Sequence, residues 1–261
     1  MRLDVFMVES GIVPTRTKAK TLIDASCVLV NGKIKTKASA QVDTKDKVEL
    51  QDKSILRYVS RGGLKLERAI EEFNLDFSGM RILDIGSSTG GFTDCALQHG
   101  AAHVNSVDVG TDCMDATLRA DTRISLYEKT DIRNAPFECF LNIDYVVCDA
   151  SFVSLTTVLA PVIERIEKPK IIALIKPQFE CGANIAKKYK GVITNFNVHK
   201  DVLNSVIGAL NAQGLSLLKL CPSPIKGKDG NIEYLAYFEN QNGAYALCAE
   251  EIEAIIKRAF A

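Results

Sequence analysis

The sequence predicts an α/β protein: a mostly parallel sheet of seven strands, preceded by a small α+β domain. Apolar strand-like runs alternate with helix-like runs over most of the 261 residues, which is typical of a parallel sheet covered on both faces. The amino-terminal part departs from this alternation, because its short segments surround an Asn31-Gly32 hairpin turn. A glycine-rich loop follows the first strand of the sheet, where folds of this kind bind ligands.

The amino-terminal domain is predicted from short amphipathic segments. Residues 5–10 form a helix-like segment that ends at Gly11, and Thr15 is placed to cap a second helix over residues 16–25. Residues 28–35 are predicted to form two strands joined by the Asn31-Gly32 turn, and residues 48–50 a third. We expect a domain over residues 1–52, a linker over 53–58 and a larger domain over 59–261.

Charge is distributed unevenly along a chain whose net charge is zero. Residues 1–65 contain 13 Lys and Arg against 7 Asp and Glu, whereas the remainder contains 19 against 25. A basic amino-terminal part favours a module that binds a polyanion, although a solvated charged face has the same composition. The candidate contacts to nucleic-acid phosphates are Arg2, Arg16, Lys18, Lys20, Lys33 and Arg61.

The larger domain is predicted from the alternation, after a first helix that ends at Phe73. Its strand-like runs occupy residues 81–86, 103–109, 124–130, 143–149, 170–176, 215–221 and 234–239. Its further helix-like runs occupy residues 92–99, 112–119, 154–166, 198–212 and 249–260. The last two strands are joined by a loop rather than a helix, so we expect them to form an antiparallel hairpin at one edge of the sheet.

Composition excludes several other classes of protein. No apolar run approaches the roughly 18 to 20 residues of a membrane span, and the segment that starts at Met1 lacks the apolar core of a signal peptide. The eight cysteines include no C-x-x-C pair and the chain has three histidines, so we expect no metal site. These features favour a cytoplasmic protein with reduced, mostly buried cysteines.

The loop after the first strand, I-L-D-I-G-S-S-T-G-G-F-T-D over residues 82–94, is the most informative segment. Its spacing is G-x-x-x-G-G rather than the G-x-G-x-x-G of a pyrophosphate-binding turn, which favours S-adenosylmethionine, a nucleoside cofactor without phosphate. Asp108 follows Gly86 by 22 positions, a spacing that suits a carboxylate bound to a ribose diol. An ordinary strand-to-helix turn is the alternative. The candidate cofactor contacts are Asp84, Gly86, Ser87, Ser88, Gly90, Gly91, Phe92, Asp108 and Asp131.

Charged residues also stand at the ends of the later strands. Asp149 and Lys176 follow apolar runs, and Glu233 begins the last strand. A lysine held near the core needs acidic partners, so a shared site is favoured over a buried structural ion pair. Lys65, just before the first strand of the sheet, would by itself be an ordinary surface lysine.

Five motifs together resemble the TlyA family. They are S-R-G-G-L-K-L at residues 60–66, the glycine loop, D-A-S-F at 149–152, K-P-Q-F-E at 176–180 and G-N-I-E-Y at 230–234. Residues 16–34 resemble the S4 RNA-binding fold, so the similarity covers nearly the whole chain. It implies an S4-like domain followed in the chain by a Rossmann-like, FtsJ-type methyltransferase domain, with S-adenosylmethionine as cofactor. It also implies 2′-O-methylation of a cytidine in ribosomal RNA.

The resemblance further implies a Lys-Asp-Lys-Glu site, which the motifs place at Lys65, Asp149, Lys176 and Glu233. A ribose 2′-hydroxyl is a poor nucleophile and must lose its proton as it attacks the methyl group. Lys176 would act as the base, or as the cation that steers the incipient alkoxide. Asp149 and Glu233 would orient Lys176, and Lys65 would hold the ribose or tune Lys176.

Other methyl acceptors fit the sequence less well. Methylation of an exocyclic amine usually goes with a D/N-P-P-Y/F motif, and residues 149–152 contain no proline. Methylation of cytosine C5 needs a thiolate, but strand alternation points Cys148 away from the face that Asp149 occupies. Cys221 is a weaker candidate for that thiol.

Two alternatives come from other functional classes. Members of the TlyA family are also described as hemolysins, but the chain has no Trp and no amphipathic helix of the membrane-surface type. A non-catalytic RNA-binding assembly factor would gain nothing from carboxylates gathered at its binding site. We expect ribosomal RNA or a ribosomal subunit as the partner of a monomeric enzyme, while the target nucleotide and subunit stay open.

Overall fold

A computed structural model of the chain describes residues 1–24, 26–51, 56–227, 229–240 and 247–260. The chain forms two compact units, Met1–Arg61 and Gly62–Ala261. The linker expected at residues 53–58 lies partly outside the described residues, and the exact domain limits stay a prediction.

The first unit packs two short helices beside a three-stranded antiparallel sheet in the order β2-β1-β3. The Asn31-Gly32 turn joins β1 to β2, and both of its residues have positive φ, 51° and 76°, as a two-residue hairpin requires. Thr15 caps the second helix, because its Oγ1 accepts a hydrogen bond from Lys18 N at 3.2 Å. The elements are α1 Leu3–Glu9, α2 Arg16–Asp24, β1 Val28–Val30, β2 Lys33–Lys35 and β3 Val48–Leu50.

The second unit is built on a seven-stranded sheet in the order β6-β5-β4-β7-β8-β10-β9. Strands β4 to β8 run parallel, and β10 is antiparallel to both β8 and β9. The predicted mostly parallel sheet and its antiparallel edge hairpin are therefore confirmed. The strands are β4 Arg81–Ile85, β5 His103–Val107, β6 Ile124–Tyr127, β7 Tyr145–Cys148, β8 Lys170–Ile175, β9 Ser216–Pro222 and β10 Tyr234–Glu239.

Helices cover both faces of this sheet. One face buries a core of alternate strand residues against α6, α9 and α10, while on the other face Phe73 of α3 stacks on Tyr237 of β10 at 6.3 Å between ring centroids. Alternation of side chains along each strand makes these two faces distinct. The helices are α3 Gly62–Phe73, α4 Gly91–Gln98, α5 Ala116–Arg119, α6 Leu155–Arg165, α7 Pro177–Glu180, α8 Ala183–Lys188, α9 Phe196–Ala212 and α10 Ala249–Phe260.

Several elements differ from the predicted ones. The helix expected over residues 112–119 is confined to α5, because Asp112 has a φ of 53° and Asp115 caps the helix by accepting from Thr117 N. Strand β6 ends before Lys129, whose φ is 52°. Helices α7 and α8 were not predicted from the sequence, although Pro177 suits the first turn of a helix.

Candidate active site

A cavity of about 490 Å³ opens at the carboxyl ends of β4, β5 and β7. Its size falls in the range of sites for cofactors and small ligands. The turn below it depends on Gly86, which has a φ of 82°, and a Cβ there would lie 3.1 Å from Ala150 Cα. Only glycine combines that φ with so close an approach of two strand ends.

Four of the predicted cofactor contacts line this cavity, and five do not. Gly86, Ser88, Asp108 and Asp131 lie on the wall. The other five predicted contacts do not line the cavity, and three of these five have a structural role at the start of α4. Gly90 is the N-cap of α4, and Gly91 and Phe92 begin that helix as buried residues. The five residues that do not line the cavity are Asp84, Ser87, Gly90, Gly91 and Phe92.

Asp108 is held by two backbone N–H groups, one from the glycine loop and one from its own loop, in a position to bind a ligand. Its Oδ2 accepts from Ser88 N at 2.7 Å and its Oδ1 accepts from Gly110 N at 2.6 Å. A carboxylate has about four acceptor positions, so these bonds leave capacity for hydroxyl donors in the cavity. This geometry fits the ribose diol of S-adenosylmethionine.

Asp84 lies beneath the loop and is fully buried. Thr93 Oγ1 donates to its Oδ2 at 2.6 Å and lies 2.8 Å from Ser106 Oγ. Burial raises the pKa of Asp84 to about 7. Within the described part of the chain, Asp84 Oδ1 and Ser87 Oγ are buried without a hydrogen-bond partner. Unsatisfied polar atoms under a ligand loop are consistent with a bound polar group or water.

Asp131 lies at the other side of the cavity, and its carboxylate is already hydrogen-bonded to Arg133. Arg133 Nε donates to its Oδ1 at 2.9 Å, and Arg133 Nη2 to its Oδ2 at 2.5 Å. The hydrogen bonds from Arg133 lower the pKa of Asp131 to about 2. Asp131 therefore stays a carboxylate, with most of its acceptor capacity already used.

The four residues of the expected Lys-Asp-Lys-Glu site, three at strand ends and Lys65 on α3, meet in one cluster. Lys65 Nζ lies 2.7 Å from Glu233 Oε2 and 3.4 Å from Asp149 Oδ2. Lys176 Nζ lies 2.6 Å from Asp149 Oδ1. Asp149 is thus shared by both lysines, and it also lines the cavity.

The fold explains why these residues meet. In the antiparallel register Tyr234 is opposite Ile175, so Glu233 and Lys176 extend the same pair of strands. Asp149 directly follows the parallel strand β7, whose Cys148 is opposite Ala173 of β8. Lys65 comes from the first turn of α3 and is buried together with Leu66.

Charge governs protonation in this cluster. Burial alone would lower the pKa of Lys65, but the charges of Asp149 and Glu233 outweigh it and leave that pKa raised. Burial would likewise raise the pKa of Asp149, but Lys65 and Lys176 lower it. Lys65 is therefore held as an ammonium and Asp149 as a carboxylate.

Lys176 is surrounded by oxygen. Besides its ion pair with Asp149 Oδ1, its Nζ donates to Asp149 O at 3.1 Å and to Ser151 Oγ at 3.0 Å. Lys176 Nζ thus makes two hydrogen bonds and one ion-pair contact. Of these acceptors, the Ser151 hydroxyl is the one that another hydroxyl could replace.

Sequence reasoning missed several neighbours of this cluster. Ser151 contacts Lys176, and Gln178 Nε2 donates to Glu233 Oε1 at 3.0 Å. Phe152 is 89% exposed at the cavity rim, with a φ of 64°. All three lie inside the D-A-S-F and K-P-Q-F-E motifs. They were not among the candidates for this cluster because their side chains are uncharged, and the candidates for it were charged residues, mostly at strand ends.

The rival thiol chemistry is not supported by the geometry. Cys148 is buried, and burial raises the pKa of its thiol to about 12. Burial also raises the pKa of Cys221 to about 11. Neither group is a thiolate near neutral pH, as a cysteine nucleophile must be.

The basic residues of the first unit are arranged in different ways. Arg2 and Arg16 both bind the buried Asp4, through Arg2 Nε at 2.9 Å and Arg16 Nη2 at 2.8 Å. Lys18 is half-buried and donates to the Tyr58 carbonyl oxygen. Lys20 and Lys33 are exposed and Arg61 is half-buried.

Among residues 1–24, 26–51, 56–227, 229–240 and 247–260, no group of three or more His, Cys, Asp or Glu is placed to hold a metal ion. Over the same ranges, no helix combines the length and apolar character that crossing a membrane requires.

Two family models and several known proteins are similar to this chain. A family model described as FtsJ-like methyltransferase matches residues 58–240, and the S4 domain model matches residues 1–48. The 23S rRNA (cytidine-2′-O)-methyltransferase TlyA of Campylobacter jejuni is 36% identical, over 91% of this chain and 99% of that protein. The 16S/23S rRNA (cytidine-2′-O)-methyltransferase TlyA of Mycobacterium tuberculosis is 34% identical, over 99% of this chain and 96% of its own.

A solved structure is similar over the whole length. It comes from Streptococcus thermophilus, carries a provisional hemolysin name, and is 36% identical with a TM-score of 0.76. The alignment covers 99% of this chain and 95% of that one.

Proposed function

This chain belongs to the TlyA family of S4-domain-containing, FtsJ-like methyltransferases, whose cofactor is S-adenosylmethionine, and on that premise we propose that it methylates a cytidine 2′-hydroxyl in ribosomal RNA. The observation that carries the proposal is the position of Asp149, which lines the cofactor cavity and pairs with both Lys65 and Lys176. Relatives with this substrate in their names differ in the ribosomal subunits that those names give. Ribosomal RNA or a subunit in the cytoplasm is accordingly the proposed partner of a monomeric enzyme.

The cofactor side of the site would be formed by the turn at Gly86 and by Asp108. When bound, S-adenosylmethionine supplies an activated methyl group on a positively charged sulfur. Asp108 would accept hydrogen bonds from its ribose hydroxyls, and Gly86 would let the backbone approach it closely. The carboxylate of Asp108 also makes the cavity favourable for a cation.

The acceptor side would be formed by Lys65, Asp149, Lys176 and Glu233. Lys176 Nζ would bind the ribose 2′-oxygen in the place now taken by Ser151 Oγ, and Asp149 would hold Lys176 in position. Two hydrogen-bond acceptors and the paired carboxylate around Lys176 favour its role as an ammonium that stabilises the incipient alkoxide over its role as a base. The proton of the 2′-hydroxyl would then pass to solvent water as the methyl group moves from sulfur to oxygen. Lys65, fixed by Glu233 and Asp149, would hold the ribose. Alignment of the two reactants accounts for much of the acceleration.

The exposed ring of Phe152 extends this proposal to the target base. It packs on Phe179 at 4.8 Å between ring centroids and is otherwise open to solvent at the rim of the cavity. An aromatic face of this kind stacks on unpaired bases. Phe152 would therefore support the cytosine while its ribose lies at Lys176.

A direct experiment compares methylation by wild type and Lys176→Ala. Ribosomal RNA from a strain without this gene would be incubated with the enzyme and S-adenosylmethionine, and ribose methylation would be mapped by nucleotide. Wild type should methylate a cytidine, whereas Lys176→Ala should bind cofactor and RNA but lose activity by a factor on the order of 100 or more. Lys168→Ala, an exposed lysine on the turn before β8, is the control.

Two results would contradict the proposal. One is full methylation by Lys176→Ala with both ligands bound. The other is no ribose methylation by wild type together with leakage of dye from liposomes, which would favour the activity that the hemolysin name implies.

A further inference from the structure

Helix α7, a single turn over Pro177–Glu180, directly follows Lys176 and reaches three separate parts of the site. Pro177 begins the helix, where a missing N–H costs nothing. The next three side chains, Gln178, Phe179 and Glu180, contact Glu233, Phe152 and Ser154 respectively. None of these three is required by the chemistry proposed above.

Gln178 determines how the carboxylate of Glu233 is oriented. Its Nε2 donates to Glu233 Oε1 at 3.0 Å, while Lys65 Nζ binds Glu233 Oε2 at 2.7 Å. A carboxylate only accepts hydrogen bonds, which fixes the orientation of the Gln178 amide. Each oxygen of Glu233 therefore has its own donor, and without Gln178 the carboxylate could rotate away from Lys65.

Glu180 holds the segment that carries Ser151 and Phe152. Ser154 Oγ donates to its Oε2 at 2.8 Å, and Leu155 N donates to its Oε1 at 2.7 Å. Leu155 is the first residue of α6, and a carboxylate at a helix N-terminus satisfies a free N–H and interacts favourably with the helix dipole. Residues 149–154 are thus fixed at both ends, by β7 and by Glu180.

Phe179 supports the same segment from the side. The centroid of its ring lies 4.8 Å from the ring centroid of Phe152 and 5.7 Å from Lys176 Nζ. Phe152 has a φ of 64°, a conformation that costs a non-glycine residue energy and persists only when its surroundings impose it.

We propose that α7 is the positioning element of the acceptor side, with Gln178 fixing Glu233 and Glu180 fixing the segment that presents Ser151 and Phe152. The inference rests on the proposed function, because it assigns these residues to the binding and alignment of the methyl acceptor. Gln178 and Glu180 are positioning residues, since each acts through a neighbour. The two arms should have different kinetic signatures.

The Gln178 arm is tested with Gln178→Met and Gln178→Glu in the full-length enzyme. We expect kcat to fall by on the order of 10- to 100-fold in both variants, with the dissociation constants of cofactor and RNA unchanged within about twofold. Gln178→Glu places a second carboxylate against Glu233, which is paired with Lys65, so the introduced carboxyl takes up a proton as the pH is lowered and can then donate to Glu233 Oε1. The activity of Gln178→Glu relative to Gln178→Met should therefore rise as the pH is lowered.

The Glu180 arm is tested with Glu180→Gln, Ser154→Ala and the double variant. We expect kcat/KM for RNA to fall by on the order of tenfold in each single variant, with cofactor binding unchanged. The kcat/KM of the double variant should lie within about twofold of that of Glu180→Gln, because both substitutions disrupt the same hydrogen bond.

Matched controls separate positioning from general damage. Gln213→Met lies on the exposed turn after α9 and Glu164→Gln on the exposed face of α6; both should have wild-type kinetics. Thermal unfolding shows whether each variant is folded. Folded α7 variants with wild-type kcat and kcat/KM would overturn the inference while wild type still methylates RNA, whereas an inactive wild type would overturn the proposed function itself.

Discussion

Asp149 connects the two halves of the candidate site at the scale of single residues. One of its carboxylate oxygens faces Lys65 and the other faces Lys176, and Asp149 also lines the candidate cofactor cavity. Removal of one partner from such a buried cluster leaves an uncompensated charge, which is costly. The cluster therefore tolerates changes of protonation poorly, and its groups should act as one unit.

Asp84 provides a pH-dependent test of the loop beneath the cofactor. Its pKa of about 7 lies well above the value of about 3.9 in an unfolded chain. Between these values the folded state binds more protons, so the free energy of unfolding falls as the pH rises. In Asp84→Asn this loss should disappear: relative to wild type, the variant should gain roughly 2–3 kcal/mol between about pH 5 and about pH 8.

Urea unfolding of the cofactor-free protein over this pH range measures that difference. Asn keeps an oxygen that accepts the Thr93 hydrogen bond, so the comparison isolates the charge. Parallel stability curves for the two proteins would show that Asp84 is ionised throughout the range.

Gly227 tests how closely the surroundings of Glu233 are packed. A Cβ at Gly227 would lie 2.6 Å from Glu233 Oε1, so Gly227→Ala must displace the carboxylate that Lys65 and Gln178 hold. We expect kcat to fall by about tenfold or more, with little change in melting temperature. Gly208→Ala is the control, because a Cβ at Gly208 within α9 meets no atom within 4 Å. Equal kcat for the two variants would contradict the proposed role of Glu233.

At the scale of elements, the strands and long helices could be predicted because their apolar period persists over enough residues. Helices α7 and α8 could not, since one or two turns are too short for a period of 3.6 to be distinguished. The same limit applies to the site. Charged strand ends identified Lys176 and Glu233, but Gln178, Glu180 and Ser151 act through tertiary contacts that no local pattern contains.

The contact between α1 and α2 gives a prediction at the same scale. Asp4 accepts hydrogen bonds from Arg2 and Arg16. These bonds, chiefly the one from Arg2, hold the pKa of Asp4 well below its usual range. This stabilisation is complete above the unfolded pKa of about 4 and is lost as the pH falls through the folded value. Asp4→Asn should therefore lower the free energy of unfolding by about 1–3 kcal/mol at neutral pH.

Urea unfolding at neutral and acidic pH tests this expectation. The difference between wild type and Asp4→Asn should shrink as the pH falls below about 4. A difference that does not change with pH would mean that the two arginines contribute nothing through the charge of Asp4.

At the scale of the whole molecule, the uneven charge suggests a division of tasks. The basic excess lies in residues 1–65 and the acidic excess in the remainder, where the carboxylates of the candidate site are found. Binding of RNA phosphates and methyl transfer would then depend on different parts of the chain, although composition alone could not show which arginines are presented together.

The double variant Arg2→Ala/Arg16→Ala tests that division. If each guanidinium binds one phosphate, the slope of log affinity against log salt should fall by about one for each arginine removed. RNA affinity should fall with it, while cofactor affinity and kcat at saturating RNA stay at wild-type values. Because the double variant leaves the buried Asp4 without these two partners, thermal unfolding must show that the first unit is still folded. Arg123→Ala is a suitable control, because this arginine is also about half exposed and paired with one carboxylate, Asp121, in the methyltransferase unit. Equal salt slopes for wild type and the double variant would show that the first unit does not bind RNA through Arg2 and Arg16.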